Sequence, residues 1–318
     1  MFDSNRGAML DEYPKTLLDV MRLFPTEDDC RSAIAAHRWS SAHLPECGRC
    51  GESYGWQLRG RDLFECGHCH HQSSVTAGTI FHRTRTDLRK WFLAIWLMAC
   101  TKKTPSAAEL QRQLGVTYKT AWLIRRKIQH AMTRRDGELM LQGIVEMDEA
   151  FIGGKDPGVR GRGQPGKSKV AVCAEGDSPQ QMGRAHMRII PDASGESLTS
   201  AAAQTIEPGN TVRTDGWVPY GALGKHGYDH QPRTQTTAAI ADVWLPWVHI
   251  VISNFKRWLL DAFHGVSAGH LQAYLDEFTY RLNRRHQRTD LFRRLLNRCT
   301  SYLDEPVTYN DLTLKTPT

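Results

Sequence analysis

Two groups of residues in this 318-residue chain have the types and spacing for metal chemistry. The first is four of its eight cysteines, in "CGRCGESYGWQLRGRDLFECGHC" over residues 47–69. Each Cys-x-x-Cys turn presents two thiolates to one side of an ion, and a second turn closes a tetrahedral zinc site. Cys47, Cys50, Cys66 and Cys69 are the expected ligands. Four thiolates leave no open position, so such a metal supports a fold and does no chemistry. The second group is acidic. Asp148 lies within "GIVEMDEAFIGG" (143–154), an alternating run rich in β-formers, and Asp215 stands at the end of "NTVRT". A carboxylate inside an apolar strand is costly unless it is paired or holds a cation. Carboxylate oxygens suit hard ions such as Mg2+ and Mn2+.

The elements that must carry these residues can be read outward from them. Between the cysteine pairs, polar and apolar residues alternate as in a hairpin, which describes a small zinc ribbon that draws its stability from metal. His68, His70 and His71 are expected at its surface, and Cys30, Cys100 and Cys173 as core thiols. With 40% hydrophobic and 24% charged residues the chain is globular, and its formal charge of +7 points to nucleic acid, whose phosphates attract Lys and Arg. "WFLAIWLMAC" (91–100) is too short to span a bilayer, and the first residues lack a basic segment followed by an apolar run. The expectation is a cytoplasmic, nucleoid-associated protein with no membrane contact, where grouped cysteines bind metal. After the ribbon, "TPSAAELQRQLGVTYKTAWLIRRKIQHAM" (104–132) predicts a helix-turn-helix. Ser106 and Glu109 form a capping box, Gly115 ends the first helix, and Thr117 caps the second. The outer face of the second helix should offer Tyr118, Lys119, Arg125, Arg126 and Lys127 to a DNA groove. Arg59 and Arg61, with His82, Arg83 and Arg85, are the candidates for following a phosphate backbone.

Beyond "RRDGEL" the character changes. The strand at 143–154 sends Glu146 and Asp148 to one face and Glu149 to the other. A Gly-rich basic loop follows, then strands at 169–176 and 183–194, a helix at 194–206, and a strand bringing Asp215 to its end. Three adjacent strands, a helix and a further strand ending in Asp is the order of an RNase H-like mixed α/β sheet. There, carboxylates on neighbouring strands gather two divalent ions that activate the attacking oxygen and stabilise the leaving oxygen of a phosphodiester. The chain thus divides into an N-terminal helical segment and ribbon (1–86) and a helix-turn-helix domain (87–138). An RNase H-like catalytic domain (139–290) and a C-terminal basic helix with a loosely ordered tail (291–318) complete it.

"VEMDEAFIGG", "VRTDGWVPYGAL" and "HGVSAGHLQAYLDEFTYRLNRR" resemble the zinc-ribbon class of DDE-type insertion-sequence transposases. The resemblance runs from the ribbon through "LGVTYKTAW" to "LDEFTYRLNRR". It implies divalent-metal-dependent hydrolysis and strand transfer at DNA element ends, with terminal inverted repeats and target DNA as partners. It also implies two or more protomers that pair the ends. The family's late-helix glutamate is missing from "WVHIVISNFKRWLLDAFHGVS". Counting back from "HGVS" places it at His249, while Asn254 is the substitute that some branches use. Helical geometry separates these two by about 140°. Oxygen hardness favours Asn254, whereas Lys256, about two turns after His249, shares the histidine's face and could contact the phosphate. Three readings follow: an active transposase, a catalytically impaired one that still binds its ends, and a DNA-binding regulator.

Overall fold

The computed structural model describes residues 13–39, 47–58, 63–133, 139–153, 167–176, 181–234, 244–263, 266–287, 290–301, 303 and 305–313. Arg59, Arg61 and the Gly-rich loop after Gly153 lie outside the described residues. The chain divides into two compact units: residues up to Ala131 together with His286–Thr313, and Met132–Arg285. Among the described residues no helix is long and apolar enough to cross a membrane.

The first unit begins with helices α1 (Leu17–Leu23) and α2 (Glu27–Arg38), each opened by a Thr–Asp capping box at Thr16/Asp19 and Thr26/Asp29. Such reciprocal bonds satisfy orphan N–H groups that a short helix otherwise leaves open. The ribbon follows as three antiparallel strands in the order β1 (Gly55–Leu58), β2 (Leu63–Cys66) and β3 (Gln72–Ser74). Its apolar content is thin. Phe64 and Val75 are buried, Phe64 sits 5.8 Å from the ring of Trp39, and Arg38 donates to the carbonyls of Ser74 and Val75. The end of α2 therefore holds the ribbon from one side.

Helices α3 (Leu88–Cys100), α4 (Ala107–Leu114) and α5 (Tyr118–Thr133) come next. The expected caps form: Ser106 and Glu109 close a capping box, Gly115 takes the left-handed conformation that only glycine adopts cheaply, and Thr117 Oγ1 accepts from the Thr120 N–H. The basic helix of the C-terminus, α9 (Leu291–Thr300), does not stand apart as the sequence division had it. Its apolar face, including Leu291, Phe292, Leu295 and Cys299, is buried in this unit, where Phe292 meets Phe24 and Phe92. Part of the tail is ordered too, as a last turn of helix, α10 (Tyr309–Thr313), with Leu312 buried.

The second unit is a five-stranded mixed sheet in the order β6-β5-β4-β7-β8. Its strands are β4 (Ile144–Ile152), β5 (Ser168–Glu175), β6 (Ala185–Ile190), β7 (Thr211–Thr214) and β8 (Asp229–Pro232). β4–β5 and β5–β6 pair antiparallel, while β4–β7 and β7–β8 pair parallel. Helix α6 (Gly195–Thr205) connects β6 to β7, and a 3-10 helix (Val218–His226) leads into β8, which the sequence reading did not anticipate. Helices α7 (Pro246–Phe263) and α8 (Ala268–Leu282) cover the other face.

The alternation of β4 sorts its residues between two cores. Val145 and Met147 pack with α6 and the 3-10 helix, while Ala150 and Ile152 pack with α7 and α8. Each fully buried large aliphatic or Phe side chain contributes about 1.5–3 kcal/mol. Both faces of the sheet are lined in this way, so packing is the main support of this unit. The motif "HLQAYLDEFTYRLNRR" has a structural task here. Gln272 accepts from Ile189 N and donates to Met187 O, Asn283 exchanges two bonds with the Ala185 backbone, and Arg285 donates to Gly183 O. These bonds occupy the open edge of β6, which would otherwise invite pairing with another strand.

Candidate active site and metal centre

In the ribbon the two Cys-x-x-Cys turns are copies of each other. Gly51 N donates to Cys47 O and His70 N to Cys66 O, while Cys47 N reaches Glu52 O and Cys66 N reaches His71 O. The turning residues Gly51 and His70 both have positive φ, 78° and 56°. The four sulfurs lie within 4.8 Å of one another, with Cys47–Cys69 and Cys50–Cys66 each at 3.6 Å. The backbone N–H of Arg49 leads in drawing the Cys47 thiol down, while Cys50 in the same cluster is pushed up, so the neighbouring thiols hold their protons unequally. Donor type and convergence fit a closed, structural zinc ion. Among the described residues no other group of three His, Cys, Asp or Glu side chains brings its donors that close together.

The acidic site is built differently. In the parallel β4–β7 pairing Glu146 is level with Arg213, and continuing that register brings Asp148 level with Asp215, the residue that follows β7. Asp148 is half-buried, its Oδ1 accepting from Glu149 N at 2.8 Å. Asp215 is also half-buried, and its Oδ1 accepts from Trp217 N at 2.9 Å. His249, in the first turn of α7, places Nε2 3.4 Å from Asp148 Oδ2. Lys256 lies on the same side of α7. Desolvation holds its pKa below the ordinary lysine value, nearby Lys167 adds to this, and Asp148 opposes it. Asn254 is exposed, and α7 turns its buried stripe of Val248, Val251, Phe255 and Leu259 to the sheet. Of the two candidates for the missing glutamate, His249 is thus the one beside Asp148. Two carboxylates at a common level with an imidazole on one of them suit a divalent cation in donor type.

Two further acids organise this site, and the sequence placed both without giving them a task. Glu146 is buried on the face of Asp148, and its Oε2 accepts from the N–H groups of Trp247 and Val248 at 2.8 and 2.9 Å. It therefore caps the start of α7, where helix N–H groups are unpaired and the helix dipole favours negative charge. Burial pushes its carboxyl up to about 7, while those N–H bonds, His249 and Arg213 pull it back. Glu149, on the opposite face, accepts from the Tyr220 hydroxyl at 2.6 Å. Burial leads in raising the Tyr220 pKa well above 10, helped by Glu149, Asp148 and Asp215. All three carboxylates thus act on this hydroxyl.

The DNA-facing candidates divide. Tyr118 and Lys119 are exposed at the start of α5, Lys119 with its ammonium 5.0 Å from the Tyr309 ring. Arg125 and Arg126 are buried and do not face outward as expected. Arg125 Nε donates to Pro105 O, and Arg126 donates to Gln129 and to Leu312 O while stacking on Trp122. Lys127 is likewise buried on Ile80 O. Much of α5 is buried, so its long basic side chains lay their stems along apolar neighbours and end on backbone carbonyls.

Residues 140–283 match the family described as the ISXO2-like transposase domain, and residues 25–72 match the transposase zinc-ribbon domain. An uncharacterised protein in transposable element ISH50 of Halobacterium salinarum is 26% identical over 282 residues, covering 82% of this chain and 92% of the relative. Among solved structures, the Mos1 transposase paired-end complex with left transposon end is 14% identical, with a TM-score of 0.23. A pre-cleavage Mos1 transpososome is 11% identical, with a TM-score of 0.17. Each pairing covers 62% of this chain and 75% of the other. Superpositions this weak add nothing to the assignment, which rests on the two matched domains and their order along the sequence. The chain belongs to the zinc-ribbon, DDE-type class of insertion-sequence transposases.

Proposed function

We propose that this transposase binds the terminal inverted repeats of its element as duplex DNA, then cuts and joins DNA there by metal-dependent phosphodiester hydrolysis and strand transfer. The observation that carries the reading is the parallel β4–β7 register, which continued past β7 brings Asp148 level with Asp215, with His249 against Asp148. Mg2+ or Mn2+, when bound, would polarise the phosphodiester and lower the pKa of the attacking water or hydroxyl. Asp148 and Asp215 supply the oxygens that hold such ions, and His249 supplies a nitrogen beside them. Lys256 is positioned to meet a non-bridging phosphate oxygen. Zinc in the four-cysteine site fixes the ribbon, and α4–α5 carries Tyr118 and Lys119 to the duplex. Two ends cut together require two copies of the site, so a homo-oligomer on DNA belongs to the same reading.

The test is nicking of a duplex carrying the terminal repeat, with Mg2+ or Mn2+ added. Wild type nicks, Asp148→Ala and Asp215→Ala fall to background, His249→Ala falls with them, and Asn254→Ala stays near wild type. Tight end binding with no nicking under either metal would select the impaired enzyme or the regulator instead.

A further inference from the structure

Beside Asp215 lies a group of side chains that the cutting reading does not use. Arg213 and Arg233 both stack on the indole of Trp244, their guanidinium carbons 5.0 and 5.4 Å from the ring centroid. The indole is fixed, because Trp244 Nε1 donates to Thr214 O at 2.9 Å, and the Arg233 N–H donates to the same carbonyl at 3.1 Å. Thr214 separates Arg213 from Asp215, so the group is tied to the backbone that presents the aspartate. Strand alternation puts Arg213 and Asp215 on one face.

Two cations on one aromatic plate repel each other, and proteins normally offset this with a carboxylate. Neither arginine has an acidic group within ion-pair distance among the described residues, and the Arg213 Nε is buried with no hydrogen-bond partner. Elsewhere in this unit Arg184 is paired with Glu175 at 3.0 Å. The acid level with Arg213 is Glu146, whose Oε2 is committed to the start of α7. Glu146 offsets part of the charge of Arg213 and no acid among the described residues pairs with Arg233, so what remains is a plate carrying N–H donors and a net positive charge. An oxyanion with several acceptor oxygens satisfies both, and guanidinium forks match phosphate in geometry. The cation–π contact keeps the forks in place before the ligand arrives.

We propose that Arg213, Trp244 and Arg233 form a phosphate clamp that grips the DNA backbone next to the phosphodiester held at Asp148 and Asp215. The clamp rests on the reading of those aspartates as the cutting site. It sets which phosphate enters that site, by holding a neighbour at a fixed distance along the strand.

The experiment uses the full-length protein and a terminal-repeat duplex in which single phosphates around the cut are replaced by uncharged methylphosphonates. Affinity is measured without Mg2+ or Mn2+. One replacement should weaken wild type about tenfold. Arg233→Ala, a change at an exposed side chain, should weaken binding to the unmodified duplex by the same factor, lose no more on that replacement, and lower the salt slope by about one. Trp244→Phe should keep part of the effect, and a thermal melt of Arg213→Gln separates clamp loss from misfolding. Full additivity of Arg233→Ala with every methylphosphonate, or unchanged affinity and slope, overturns the clamp. Nicking of the same duplex by wild type reports on the aspartates separately. Nicking without coupling removes only the clamp, while coupling without nicking keeps the phosphate contact but removes the cutting site and, with it, the clamp's role of setting which phosphate enters.

Discussion

The ribbon converges four cysteine sulfurs, and the sheet brings the two aspartates of the proposed cutting site level, by opposite means. In the ribbon every donor comes from a local turn repeated once, with the same two backbone bonds in each copy. Little else holds that part of the chain: Phe64 and Val75 are its buried apolar residues, and β1 exposes Trp56. In the second unit Asp148 and Asp215 are far apart along the chain and share a level only because β4 and β7 keep parallel register. There the packing of both faces comes first, and the acids are placed by it. The ribbon's fold should therefore depend on its metal, whereas the sheet's fold should not.

The largest expected effect breaks that comparison if it fails. Apparent zinc affinities of small structural sites are worth about 10–16 kcal/mol, and that free energy is folding energy. Cys66→Ser, or chelation of wild type, should release the zinc, unfold the ribbon and abolish specific end binding. The thermal transition of the sheet unit should stay in place. Asp148→Asn is the mirror experiment: nicking falls to background, while the melting profile of both units matches wild type. A sheet unit that melts with zinc removal would show that the two supports are not independent.

Next in size is the anchor of α7. Glu146→Ala removes the acceptor for two helix N–H groups and should cost about 1–2 kcal/mol, the range of a lost cap. His249 and Lys256 ride on that helix, and a displacement of about 1 Å can cost up to 100-fold in rate. Nicking should thus fall further than the folded fraction does. Glu146→Gln keeps an oxygen for both N–H groups and should recover most of the activity. On the opposite face, Tyr220→Phe removes a hydroxyl bond to a buried carboxylate and should destabilise the sheet unit by about 1–3 kcal/mol in denaturant melts. It should leave the zinc content unchanged.

What the sequence revealed follows the same divide. Local patterns were legible: cysteine spacing for the knot, Ser106 and Glu109 for the start of α4, and the period of β4 that separates Glu146 and Asp148 from Glu149. The seven-residue spacing of His249 and Lys256 also carried, since a helix returns to nearly the same face after two turns. What failed depended on partners distant in sequence. Arg125, Arg126 and Lys127 look like an outer basic stripe until the carbonyls of Pro105, Leu312 and Ile80 close over them. β8 is "DHQP", poor in β-formers, and is a strand because β7 pairs with it. α9 reads as a basic appendage, yet its apolar face belongs to the first unit, a return no local pattern announces.

The smallest effect concerns the support behind the ribbon and has a defined sign. His37, near the end of α2, is held down to about 4, first by burial and then by the charge of Arg293. A hydrogen bond to Asn297 pulls the other way. The folded state thus prefers neutral imidazole, while the unfolded chain binds its proton near 6.5. The stability from this group is complete above about 6.5 and is lost as pH falls towards about 4, with a slope of up to about one proton. Arg38 and Trp39, the next residues, hold β3 and Phe64, so acidification should loosen the ribbon's backing before it touches the sheet. His37→Gln should flatten the acid limb of the first unit's melting temperature between about pH 6.5 and 4 and leave that of the second unit unchanged. An equal flattening in both units would mean that His37 is not the group responsible.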